Sequence, residues 1–120
     1  MPRNISFSMT TPQFRDRTKT VTRRLGWWAL KPGTVLCGVE KARGLKKGEK
    51  IRRLGLIEIV SVRRERLDTI TANDVNREGF RGMAPEAFVD MFCQSHRCEP
   101  DAWVNRIKFR YLEGEVSEVS

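Results

Sequence analysis

Two β-rich runs bound what this chain can become. In the closing run WVNRIKFRYL, Val104, Ile107, Phe109 and Tyr111 are apolar with basic residues between them, as expected of a strand with one buried face. The earlier run LGLIEIVSVRRERL has the same character, with Ile57, Ile59 and either Val60 or Val62 directed to the core. Shorter strands are predicted at ISFSM and from Thr34 to Glu40, the latter opened by the turn signal Pro32-Gly33. Between the β runs, KARGLKKGEKIRR carries two Gly and seven basic residues and reads as an exposed hairpin or loop. TTPQFRDR predicts a short helix, with Thr11 able to cap it and Pro12 at its first helical position. FRDRTKTVTRRLGWW continues from it as a loop. Thr71 and Asp74 have the spacing of a capping box, and the short helix they start ends before Gly79. MAPEAFVDMFCQSHRC is the clearest helix: Pro85 suits its first turn, and Phe88, Met91 and Phe92 make one apolar face. Trp103, which introduces the last strand, is assigned to the core. Strands interrupted by short helices predict an α+β fold, a closed or half-closed β-barrel with two or three short helices at its ends.

The chain has 120 residues, enough for one domain with its own core. We expect that domain over residues 1–113 and a flexible acidic tail over 114–120. Lys and Arg number 23 against 15 Asp and Glu, a formal charge of +8. Such an excess draws anions and favours encounter with nucleotides or RNA. Three Cys without a secretory apolar run point to a reducing, cytoplasmic setting, and no apolar stretch is long enough to span a membrane.

The richest chemistry lies in TKTVTRR. A Thr hydroxyl is a poor nucleophile until a base removes its proton. Lys19 can be that base once burial and the neighbouring Arg23 and Arg24 lower its pKa towards neutrality. The plainer reading, favoured by spacing alone, is a solvated or phosphate-binding basic surface with the Thr residues in a strand. Glu78 is a second candidate. It stands at the negative end of a helix dipole, where a carboxylate is disfavoured by a few tenths of a kcal/mol or more. Its plainer reading is a surface ion pair with Arg77 or Arg81. Cys93, His96 and Cys98 lack both a fourth ligand and the usual zinc spacing, so no metal is assigned and Cys93 is read as a small core residue. Trp27 and Trp28 offer rings that can stack on a base or cover the core.

TKTVTRR, LDTITANDVNREGF and CEPDAWVNRIKFRYL together resemble the ASCH family, whose members have a PUA-like β-barrel. The resemblance runs from about Ile5 to Leu112 and is most specific at the Lys-centred motif. Within the family the chain is similar to the small bacterial N4-acetylcytidine amidohydrolases. The resemblance implies Lys19, Thr22 and Glu78 as the catalytic set and an N4-acylated cytosine or cytidine as substrate. It implies hydrolysis without metal or cofactor. Thr20, Arg23, Arg24 and Trp27 are then expected to bind the substrate, with backbone N–H groups from Thr20 to Arg23 at the oxyanion. One departure stands out: Arg17 occupies the place, two residues before the motif Lys, where the family often has Gly. The alternative within the same family is an RNA-binding module, or a ribonuclease, using the same basic groove.

Overall fold

The computed structural model describes residues 2–41 and 45–112. Five strands, β1 (Arg3–Ser6), β2 (Val21–Arg24), β3 (Val35–Val39), β4 (Arg53–Arg66) and β5 (Trp103–Tyr111), form one sheet in the order β1-β3-β4-β5-β2. β1 pairs with β3 in parallel; every other pairing is antiparallel. The sheet curls into a half-barrel, and with helices α1 (Thr11–Arg15), α2 (Ala72–Arg77) and α3 (Pro85–His96) it makes the α+β, PUA-like architecture. The acidic tail expected over 114–120 lies outside the described residues. Among those residues no helix is long and apolar enough to cross a membrane.

β5 organises the molecule because its two faces serve two cores. Ile107 and Phe109 look into the barrel, where they join Ile5, Phe7, Phe14, Leu36, Ile57 and Ile59. Val104 looks the other way, into a second cluster with Leu67, Ile70, Val75, Phe88, Val89 and Phe92. Period-two alternation thus ties the barrel to α2 and α3 through a single strand. Each of these large side chains contributes about 1.5–3 kcal/mol by leaving water.

The choice between Val60 and Val62 is settled by a β-bulge. The β4–β5 register shifts between Ile59 and Ser61, so Val60 is the extra residue and stays 42% exposed. Val62 then pairs with Ile107 and packs on the barrel core.

Three local expectations need correction. Thr11 does not cap α1: Thr10 is the N-cap residue and makes no side-chain cap, while the Thr11 hydroxyl donates to the Phe7 carbonyl at 2.9 Å. The stretch read as a loop contains a strand, since Val21–Arg24 pairs with β5. Its apolar content is slight, so nothing in its own pattern marks it; β5 supplies the partner. Trp103 is 57% exposed rather than core; the buried residues of β5 begin at Val104.

Candidate functional site

α1 ends at Arg15, and the chain turns through Arg17 with φ of 65° to bring Lys19 inward. That left-handed backbone is where glycine is the usual choice, which gives the departure at this position a structural meaning. The turn is made with Arg, whose guanidinium lies 5.4 Å from the Tyr111 ring. The Tyr111 hydroxyl donates to the Lys19 carbonyl at 2.5 Å, which fixes the backbone of the next residue in the path.

Glu78 arrives from the other side of the chain. The Thr71 hydroxyl accepts from the Asp74 amide at 3.2 Å, so the predicted cap exists. Glu78 is the C-cap of α2, and Gly79 follows with φ of 101°. A Cβ on Gly79 would sit 2.8–2.9 Å from the Gln13 side chain and 3.5 Å from the Lys19 Cβ. The two segments therefore abut with no room between them. The Thr20 amide donates to the Arg77 carbonyl at 2.7 Å, a backbone clasp beside the side-chain pair.

That pair is Lys19 Nζ with Glu78 Oε1 at 2.7 Å, and Nζ also donates to the Glu78 carbonyl at 2.9 Å. Both side chains are almost wholly out of water, at 3% and 4% exposure. Burial lowers the Lys19 pKa, and Arg24 and Arg23 push the same way, while Glu78 opposes them; the net direction is downward. Glu78 thus does not pair with Arg77 or Arg81 at the surface. Arg77 donates instead to Asp74 at 2.9 Å.

Arg23 fastens the set to a deeper charged cluster. It donates to Glu78 Oε2 at 3.2 Å, to Glu65 at 2.6 Å and to Asp74 at 2.6 Å. Arg106, on β5, grips both Asp74 oxygens at 2.6 and 3.0 Å. Burial alone would raise the Asp74 pKa, but hydrogen bonds from Arg106 and Arg23 overcome it and hold the carboxyl well below its ordinary range. Asp74, Glu65 and Arg106 were missed as site residues. In the sequence Asp74 reads as part of a helix cap and its partners are remote; the one sign is an Arg amid the apolar residues of the last strand.

Arg24 differs from Arg23. Its Nε donates to the Thr22 hydroxyl at 3.0 Å and its Nη2 to the Ser6 carbonyl at 2.6 Å. The second bond joins the two edge strands of the open half-barrel. Among the described residues no carboxylate forms an ion pair with Arg24. Burial draws its pKa down to about 10, so it remains a cation at neutral pH.

Lys19, Thr22, Arg23, Arg24 and Glu78 line one cavity of about 140 Å3 at the seam between β1 and β2. Its other walls are Ser6, Ser8, Met9 and Thr10, then Phe80 and the α3 residues Phe88, Met91, Phe92, Ser95 and His96. Of the seven residues expected at the site, Thr20 and Trp27 lie outside this lining. The Thr20 amide is taken by Arg77, so it is not a free oxyanion donor. Trp27 packs on the barrel core, its ring under the Arg3 guanidinium at 4.4 Å. Cys93 and Cys98 lie outside the cavity lining with their sulfurs 3.9 Å apart, and burial raises the Cys93 pKa to about 11.

No protein-family model and no curated protein matches the chain. Solved structures do. A protein from Enterococcus faecalis assigned to DUF984 superposes with a TM-score of 0.67 at 14% identity, over 93% of this chain and 80% of that one. An ASCH domain from Lactobacillus crispatus gives 0.62 at 15% identity, over 91% and 78%. The hypothetical protein PH0355 gives 0.61 at 13% identity, over 92% and 97%. At these identities the likeness is one of fold: the chain is folded like that ASCH domain, in line with the fold its motifs imply.

Proposed function

We propose that the chain is an amidohydrolase that cleaves the acyl amide of N4-acylated cytosine or cytidine. The observation that carries this reading is the buried Lys19–Glu78 pair in a cavity that Thr22 also lines. A lysine kept from water beside other cations is primed to give up its proton, which a merely solvated basic surface would not require.

In the proposed sequence, Thr22 Oγ attacks the acyl carbonyl and its proton passes to Lys19. Among the described residues the Thr22 hydroxyl is bonded to Arg24 rather than to Lys19, so this transfer needs the closer approach that substrate binding supplies. The Arg24 bond itself favours the alkoxide form of Thr22. The same guanidinium, which forms no ion pair with a carboxylate among the described residues, is the group that offsets charge on the tetrahedral oxygen. The C–N bond then breaks as the exocyclic nitrogen takes a proton from Lys19, with Glu78 holding the ammonium in place. Water releases the acyl group from Thr22 and restores the enzyme.

Ultraviolet absorbance of N4-acetylcytidine incubated with the protein tests the reading. Wild type is expected to form cytidine. Lys19→Ala and Thr22→Ala are each expected to lose turnover by about 10²–10⁴-fold, the usual span for a positioned proton-transfer group. Full activity in Thr22→Ala would rule out the Thr route.

A second reading, an RNA-binding or RNA-cleaving module using the same basic groove, is favoured by an observation outside that groove. Arg64 lies 4.5 Å over the ring of Trp28, which is 47% exposed, and Trp103, paired with Arg66 across the sheet, is 57% exposed. Exposed rings beside cations stack on unpaired bases. This reading predicts RNA affinity that falls steeply with salt and no turnover of small nucleosides.

A further inference from the structure

The cavity has one wall that the proposed chemistry does not use. His96, in the last turn of α3, lines it together with Ser95. Its ring is held in two ways. It stacks on Phe92 with centroids 4.0 Å apart and planes 19° from parallel, and its Nδ1 lies 3.1 Å from the Phe92 carbonyl. A carbonyl only accepts, so Nδ1 carries the proton and donates it. The nitrogen left for a ligand is Nε2, an acceptor in the neutral ring. A histidine whose orientation and tautomer are both fixed is a preorganised contact, and pays little entropy on meeting a donor.

The geometry of a pyrimidine says what that donor is. In an N4-acylated cytosine the acyl amide leaves the ring at C4, and the N1 substituent leaves from the far side. With the amide at Lys19, Thr22 and Glu78, the N1 substituent points away from that set, and the lining continues from Glu78 through Phe80, Phe88, Phe92 and His96, whose rings follow one another at 5.8, 6.2 and 4.0 Å. We infer that His96 contacts the sugar there, accepting a ribose hydroxyl at Nε2, and so selects nucleosides over free bases. This rests on the amidohydrolase reading and adds a substrate class to it.

The test compares N4-acetylcytidine with N4-acetylcytosine as substrates for wild type and His96→Ala. His96 is exposed, and activity on the free base reports whether the variant is folded. The expected result is a KM for the nucleoside raised about three- to tenfold, the range of one hydrogen bond, with kcat unchanged and the free base unaffected. Equal losses on both substrates, or no loss on either, would overturn the role of His96 and leave the amidohydrolase reading standing. If wild type cleaves neither compound, the amidohydrolase reading falls and this inference falls with it.

Discussion

The barrel interior and the seam beside it solve opposite problems. Inside the barrel, Ile5, Leu36, Ile57, Ile59 and Ile107 are buried with no charge among them. At the seam, Lys19, Arg23, Asp74, Glu78 and Arg106 are buried almost as completely. The first region gains stability from every residue it hides. The second must offset the loss of water around each ion with a partner, and one carbonyl or carboxylate out of place would leave a charge stranded. A chain that needed only to fold would fill the seam with apolar side chains. That it holds a linked set of ions instead, around a cavity, is the arrangement the proposed chemistry needs.

Three substitutions sharpen or break that contrast. The largest effect is expected from Asp74→Asn, which leaves Arg23 and Arg106 without their shared counter-ion and destabilises by about 3–5 kcal/mol in urea unfolding near pH 7. Its pH dependence has a definite sign. The folded-state pKa of Asp74 is lowered from its ordinary 3.8, so ionised Asp74 stabilises the fold above about pH 4. That contribution fades as pH falls, and wild type should lose stability between about pH 5 and pH 2 more steeply than the variant. Parallel curves would show that the ions are ornament to an apolar fold, and the contrast would be lost.

Ile57→Ala is expected next, at about 2–5 kcal/mol for a cavity in the barrel. Its effect should be independent of acid pH, and turnover per folded molecule should not change. A loss of kcat would mean that the two regions are not separable. The smallest effect is expected from Arg17→Gly. It relieves a left-handed backbone worth about 1 kcal/mol, and gives back part of that gain through the lost contact with Tyr111 and a freer unfolded chain. A change above about 1 kcal/mol in either direction would assign Arg17 more than a turn.

The legible parts of this molecule are those written in a local pattern. Alternation placed β4 and β5, the Thr71 cap and Gly79 bounded α2, and Pro85 with Phe88 and Phe92 marked α3. Glu78 alone stands against a local preference; Lys19 and Thr22 are singled out by the chemistry of a Lys near a Thr hydroxyl, and only the motif resemblance links the three. β2 was not legible, because a short edge strand takes its structure from its neighbour. Val60 and Val62 were indistinguishable, since a bulge is a property of two strands. The cluster around Asp74 was out of reach for the same reason: Arg23 and Arg106 meet it from two strands on which each reads as another basic residue in a basic chain.

Gly79 gives the contact between Lys19 and Glu78 a meaning for how this chain can vary. Any side chain there adds a carbon against Gln13 and opposes a backbone that only glycine adopts freely. In a saturation library, surface positions such as Val60 should accept many residues, while Gly79 should accept almost none. Variants at Gly79 would behave as if the lysine and the glutamate had both been altered, though neither had been touched.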